Sequence, residues 1–402
     1  MRFRVSTLAM AVAATLPSVA SAVDFSYSGF STAAYAQSDT DEAEVGYSGQ
    51  PNGIDSEGNF TIDSKLGFQV TAKFNDLVSA TVQGVGYADL TGDWEPHLDW
   101  AYVRLQPLSS LSLRAGYLRA PTFMYSDSVF IGYANVWVRP PMEIYNMAAL
   151  YQIRGVDATW RGQAGPINLT LNPYYGDSKV DLASGELDVP LWAGIAATAE
   201  YRSFMFRVGY SKNELGTTTE QLVPLIDALR AVPAAFCAVC SVEAGKLDLD
   251  GTKMDTFNVG LQYDDGTNFV ASEYATSDSG DNYLIPNKLG AYLTYGRRFN
   301  NLMPYATYAI SRRDTPTEST SVPIPALSFG LNAAISSSYD DQTSYSAGVR
   351  YEVPSFSVVK GALVKLQYDH IKAEHGNGML NNATANFDGS LNMISASFDF
   401  IF

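Results

Sequence analysis

The stretch Phe60-Thr61-Ile62-Asp63-Ser64-Lys65-Leu66-Gly67-Phe68-Gln69-Val70-Thr71-Ala72-Lys73-Phe74 divides into two phases. Phe60, Ile62, Ser64, Leu66, Phe68, Val70, Ala72 and Phe74 occupy one; Thr61, Asp63, Lys65, Gly67, Gln69, Thr71 and Lys73 occupy the other. Successive side chains of an extended chain point to opposite faces, so this alternation predicts a two-faced β-strand. Fifteen residues at about 3.3 Å each span about 50 Å, whereas strands of soluble proteins usually hold about five or six residues.

The same alternation recurs outward from this stretch. Phe204, Phe206, Val208 and Tyr210 alternate with Met205, Arg207, Gly209 and Ser211. Phe257, Val259, Leu261 and Tyr263 alternate with Thr256, Asn258, Gly260 and Gln262. Tyr345, Ala347, Val349 and Tyr351 follow suit, as do Ala362, Val364, Leu366 and Tyr368. Sixteen strands are predicted: 23–36, 60–74, 78–88, 98–106, 111–119, 154–161, 167–174, 191–201, 204–211, 255–263, 268–276, 289–298, 303–311, 342–352, 358–370 and 391–402. Tight polar turns such as 75–76, 107–110, 202–203, 264–267 and 300–301 alternate with looser connections at 37–58, 177–188, 213–253, 277–281, 312–341 and 373–389. Short turns at one end and long loops at the other mark a transmembrane antiparallel β-barrel.

Composition removes the competing classes. The chain has 402 residues, 26 Lys and Arg against 42 Asp and Glu, and a net charge of −16, which argues against a nucleic-acid partner. Two cysteines exclude a disulfide-built scaffold or a multi-cysteine metal site, and three scattered histidines argue against a histidine-based one. Beyond the N-terminus no run of about 20 apolar residues supplies a helical span.

The N-terminus reads as a leader. Arg2 and Arg4 precede a small, apolar segment at 5–19, and Ala20-Ser21-Ala22 is an A-x-A cleavage site. Removal of residues 1–22 leaves 380 residues (402 − 22), a barrel over 23–402, and a net charge of −18 (−16 − 2). Sixteen strands enclose an aqueous channel, whereas eight leave an interior filled by side chains. The polar phase carries Lys65, Gln69, Arg104, Arg114, Arg154, Arg207, Arg298 and Arg350. A packed core would bury those charges at high cost, and a water-filled lumen solvates them. Tyr117, Tyr201, Tyr210, Tyr263, Tyr295, Tyr351 and Tyr368 fall near strand ends, where interfacial aromatic girdles sit. The chain closes Phe398-Asp399-Phe400-Ile401-Phe402, with a terminal aromatic of the kind that outer-membrane assembly machinery recognises.

Local wording adds a family resemblance. Ser64-Lys65-Leu66-Gly67-Phe68-Gln69-Val70, Phe74-Asn75-Asp76 and Ser79-Ala80-Thr81-Val82-Gln83 resemble the start of Gram-negative outer-membrane porins. Leu113-Arg114-Ala115-Gly116-Tyr117-Leu118-Arg119-Ala120-Pro121 is similar to their fifth strand entering the third loop, and Arg139-Pro140-Pro141-Met142-Glu143-Ile144-Tyr145 to the later part of that loop. The resemblance implies a sixteen-stranded, usually trimeric barrel in the outer membrane, contacting lipid and lipopolysaccharide. Its third loop would fold inward and narrow a pore for small hydrophilic solutes. No cofactor is implied.

Residues 120–149 fit that expectation. Alternation stops there, and Phe123, Tyr125, Phe130, Tyr133, Trp137 and Tyr145 require a surface to pack on. By themselves they suit a subunit interface as well as the lumen; the resemblance favours the lumen. Asp127 and Glu143 are the loop's acids, and Arg104, Arg114, Arg119, Arg139 and Arg154 are the nearest bases. Acid facing base across a narrow gap sets up a transverse field that selects small polar solutes. Arg139 and Glu143, four residues apart, suit a local salt bridge equally well.

Other chemistry is sparse. Cys237 and Cys240 lie in the longest loop, near an expected short helix at 220–231, and suit a local disulfide. His97, His370 and His375 lack metal spacing, and the acidic runs at 38–44 and 278–281 read as solvated loops. No G-x-S-x-G or phosphate loop is present, so the reading is a channel and not an enzyme. A substrate-selective channel for small anions or organic acids is the alternative, and a closed barrel acting as adhesin or lipid-modifying enzyme is a further one.

Overall fold

The structure, a computed structural model, describes residues 23–402 except 48–49, 148–151, 183–184, 217–219, 315–321, 337, 339–340, 355–358 and 375–377. The expected leader at 1–22 and His375 lie outside the described residues. Sixteen strands form one closed antiparallel barrel. The first eight are β1 (Asp24–Ser38), β2 (Lys65–Lys73), β3 (Val78–Ala88), β4 (Trp94–Leu108), β5 (Leu111–Arg119), β6 (Gln152–Ala164), β7 (Ile167–Leu182) and β8 (Gly185–Tyr201). The rest are β9 (Phe204–Glu214), β10 (Lys253–Asp264), β11 (Asn268–Asp278), β12 (Lys288–Arg297), β13 (Leu302–Arg313), β14 (Gln342–Val353), β15 (Gly361–Ala373) and β16 (Ser390–Ile401). Each strand pairs with its sequence neighbours, and β1 pairs with β16, Phe30 opposite Ile401. The backbones of Gly29 and Phe402 exchange two hydrogen bonds of 3.0 Å, which completes the seam. Closure leaves no strand edge unpaired, the condition for crossing hydrocarbon as a sheet.

The apolar phase faces outward all round the ring. Phe206, Leu261, Tyr274, Leu293, Leu366 and Ile394 are 41 to 64% exposed. Water would not support a continuous belt of large apolar side chains; a bilayer does. Among the expected girdle residues Tyr201, Tyr210, Tyr295, Tyr351 and Tyr368 are likewise exposed. On β11, by contrast, Phe269, Ala271, Glu273 and Ala275 point inward and are buried. No helix among the described residues is long and apolar enough to cross a membrane.

Two stretches depart furthest from the expected boundaries. Residues 60–64 are a loop despite their alternation, because β2 starts at Lys65. The Asn59 side chain accepts the backbone N–H groups of Thr61 (2.7 Å) and Ile62 (2.9 Å), and Ser64 Oγ donates to Phe60 O (2.5 Å), local bonds that displace the ladder. The polar stretch 177–188, expected as a loose loop, is mostly ladder: past a bulge at Asp177, Ser178 pairs with Val189 and Lys179 with Asp188. Lys179 donates to Glu186 at 2.9 Å, the kind of cross-strand contact that supports a water-exposed hairpin.

The long loops are themselves structured. Helices over Val223–Arg230, Cys240–Leu247 and Pro325–Ser336 bury Leu229, Cys240, Leu247, Leu331 and Ile335 in one cluster. The first covers the expected helix at 220–231; the other two lie in stretches read as loop. Cys237 and Cys240 are joined in a disulfide. Three acids of 38–44 are tied up: Asp39 accepts from Asn392 at 2.6 Å, Asp41 from the Ser56 hydroxyl, and Glu44 from the Gly53 N–H at 2.6 Å.

Candidate pore constriction

After Arg119 the chain turns into the barrel. Arg207 on β9 donates to Pro121 O (2.5 Å) and Asn258 on β10 to Thr122 O (2.6 Å). Glu273 on β11 then accepts the Met124 N–H and the Tyr145 hydroxyl, both at 2.8 Å. Trp137 Nε1 donates to Thr294 (3.0 Å) and Thr307 (2.9 Å), and Tyr125 and Tyr292 meet its ring edge-on at 5.4 and 5.5 Å. Phe130 packs against Tyr87 of β3, the rings tilted and 4.6 Å apart. Lys365 on β15, fully buried, donates to Gly132 O (2.6 Å) and Trp137 O (2.8 Å) and pairs with Asp399 of β16 at 3.1 Å. Gly132 sits so close to Asp399 and Thr32 that a Cβ would collide with both. The aromatic content of this loop thus finds its surface on the inner wall.

The loop lies tight against that wall. The cavity left between Arg139, Glu143, Ser344, Gln367 and Asp369 is about 30 Å³, room for about one water. The loop therefore leaves little room behind it at this point, and the lumen lies between it and the facing wall.

On that wall lie Arg104 and Arg114, cross-strand neighbours on β4 and β5. Arg114 donates to Asp157 of β6 at 2.9 Å, and its guanidinium rests 6.0 Å from the Trp100 ring and 5.1 Å from Tyr102. Arg104 is exposed and hydrogen-bonds Gln106 at 2.5 Å. Asp127, exposed on the loop, attracts Arg114 electrostatically. Arg104 also borders a cavity of about 290 Å³ at the turn end, shared with Thr71 and Lys73.

The other expected residues sit elsewhere. Arg119 is buried, bonded to Asp99 and stacked 4.3 Å from Phe130, so it holds the loop and does not line open water. Arg139 is buried on Asp63 (3.1 Å from Nε) and Glu143 accepts from Gln342 (2.9 Å) and Ser344 (2.6 Å). Each clamps the loop to the barrel, and the local Arg139–Glu143 bridge does not form. Arg154 corrects the expectation outright: Asp157 points inward to Arg114, so alternation turns Arg154 outward with exposed Val156, where it pairs with Asp177.

Lys65, Arg207, Arg298 and Arg350 are inward as expected, but none stands free. Lys65 is buried, its ammonium 3.3 Å from Asp63 O; Arg298 forms a two-pronged bond to Asp264 (2.6 and 2.8 Å); Arg350 pairs with Glu352 at 3.3 Å. The acids that bind these bases are absent from the expected set. Asp63 and Glu273 fall in the inward phase of stretches already identified, so applying the alternation to carboxylates finds them; Asp157 lies in the phase opposite Arg154, so assigning Arg154 to the lumen hides it. Asp99 sits at a bulge, where the period-2 rule breaks.

No known family model matches the chain, and no curated protein does. Solved structures do. The outer-membrane channel DcaP of Acinetobacter baumannii aligns with TM-score 0.58 at 12% identity, over 96% of this chain and 99% of that one. The anion-selective porin from Comamonas acidovorans aligns with TM-score 0.53 at 12% identity, over 94% of this chain and 100% of that one. OmpT of Vibrio cholerae, an outer membrane protein in its trimer form, aligns with TM-score 0.54 at 12% identity, over 95% of this chain and 100% of that one. This chain shares their fold.

Proposed function

We propose that this protein is an outer-membrane porin: a water-filled channel through which small hydrophilic solutes and ions diffuse passively, working as a homotrimer. In this reading residues 1–22 direct export and are removed. The Phe402 end is read by the outer-membrane assembly machinery, and the barrel sits in outer-membrane lipid beside lipopolysaccharide. The observation that supports the reading is the loop after β5 folded into the barrel and pinned there by Trp137 and Lys365, with Arg104 and Arg114 side by side on the wall. Solutes cross a short gap whose opposite sides differ in charge, and polar molecules reorient there at less cost than apolar ones. The bound acids temper the wall: Asp157, Asp264 and Glu352 neutralise arginines that would otherwise fill the lumen with positive charge.

Planar-bilayer recording under a KCl gradient tests this. Stepwise openings in threes are expected. A silent bilayer with folded protein would overturn the reading in favour of a closed barrel acting as adhesin or lipid-modifying enzyme. A channel selective for small anions or organic acids is the second reading. It is favoured by Arg104, which among the described residues bonds only neutral Gln106. A reversal potential on the anion side would select it.

A further inference from the structure

The hairpin joining β3 to β4 carries a cluster that the constriction does not use. Asp89, Glu95 and His97 bring one ligand atom each within 4.8 Å of one another. Glu95 and His97, two residues apart on β4, share a strand face. Their partners in register are Tyr87 and Val85, which pack inward against the loop's Phe130. The face is therefore the lumen side, at the loop end, just beyond the constriction.

The donors are set in place. Asp89 Oδ1 is consumed by the turn, accepting from the Thr91 N–H (2.9 Å), the Thr91 hydroxyl (2.6 Å) and the Asp93 N–H (3.2 Å). Gly92 makes the turn possible with φ +90°, and Gln50 braces it by donating to Ala88 O and Asp89 O at 2.9 and 2.8 Å. That leaves Asp89 Oδ2 directed at His97. The imidazole is held by Tyr87, ring centroids 4.7 Å apart. Its Nε2 is shut off from solvent and has no hydrogen-bond partner among the described residues, a costly state for a buried polar atom. It lies 3.6 Å from Asp89 Oδ2. Two ligands at about 2.1 Å from a tetrahedral ion lie about 3.4 Å apart.

We propose that Asp89, Glu95 and His97 bind a divalent transition-metal ion, with zinc the best fit. One imidazole and two carboxylates are its donor set; a hard cation such as magnesium prefers oxygen alone and keeps its waters. Three protein ligands leave a fourth position open to water. The bound ion adds two positive charges to the loop end of the lumen. It thereby lowers the cation share of any current that crosses.

The binding test does not depend on conduction. Untagged, EDTA-stripped full chain in detergent is titrated with ZnCl2 by calorimetry. One zinc per barrel is expected, with no heat from MgCl2. His97→Ala and Glu95→Gln should each weaken binding by more than the about 10- to 100-fold that loss of an outer-shell partner costs. Co²⁺ in place of zinc should give a visible d–d absorption band in the wild type that is absent in His97→Ala. Glu95 is exposed, so Glu95→Gln keeps the test valid if the histidine variant misfolds. Titration curves for wild type and the Glu95→Gln variant that superimpose, as a bare His–Asp ion pair would give, overturn the proposal. Zinc binding in a barrel that passes no current would leave the site standing and refute the channel.

Discussion

Lys365→Met should unlatch the inward loop. Lys365 and Asp399 are both fully buried wall residues, and Lys365 also holds the loop carbonyls of Gly132 and Trp137. Methionine keeps the stem and deletes the donors. Among the described residues Asp399 then keeps as hydrogen-bond donors only the Thr32 (2.6 Å) and Ser397 (2.9 Å) hydroxyls. Stranding one partner of a buried pair costs about 3–5 kcal/mol. Undocking the loop would let lumen water reach Asp399, so the cost falls on the docked state. At about 1.4 kcal/mol per ten-fold, the open fraction rises by about 100- to 4,000-fold. Chymotrypsin attack on the loop aromatics follows that fraction when reclosing is fast. Cleavage should accelerate accordingly, with brief excursions to a larger conductance in bilayers. Adding Asp399→Asn removes the stranded charge and should recover part of the protection. Cleavage within two-fold of wild type and unchanged current records would refute the latch.

Other consequences are equally direct. Deleting residues 123–137 should enlarge single-channel conductance; an unchanged value would mean that the loop does not set the narrowest point. Arg114→Ala removes a wall charge and exposes Asp157, so the reversal potential should move toward cations, and a fixed potential would remove Arg114 from the solute path. Reducing the Cys237–Cys240 bridge frees a loop of only a few residues, worth about 2 kcal/mol by chain entropy, so the helical cap should lose protection from hydrogen exchange while conductance stays constant. In the turn after β10, the Asn268 and Thr267 backbone N–H groups hold the Asp265 carboxyl well below its usual range. A depressed carboxylate stabilises at pH above its unfolded value and loses that contribution only as pH falls through the folded one. The Thr267 and Asn268 amide resonances should therefore stay put at about pH 4, the ordinary Asp range, and shift only in stronger acid; movement with an ordinary Asp midpoint would contradict this.

The barrel was legible because its physics is local. A lumen on one side and lipid on the other write themselves into every second residue, so all sixteen strands could be located from alternation. Boundaries failed where a neighbouring contact outweighed the pattern: Asn59 captured the backbone of 61–62, and a charged ladder carried 178–189 beyond the apolar belt. The site was half legible. That 120–149 must pack on something followed from its aromatics, whereas the choice of the lumen over a subunit interface came from resemblance.

Pairing was beyond the sequence. Which carboxylate meets which arginine depends on register, bulges and a loop crossing the barrel: Arg139 finds Asp63 at a separation of 76 residues, and Lys365 reaches Gly132 at 233. The histidine-poor sequence likewise gave no hint that a hairpin would set His97 beside Asp89 and Glu95. The sequence by itself determined a sixteen-stranded barrel with charge inside and hydrocarbon outside, since alternation and composition are properties of neighbouring residues. Only the tertiary structure decided which charges remain free in the lumen, because neutralisation is a contact between distant strands, and it turned Arg119, Arg139 and Arg207 into clamps on the loop.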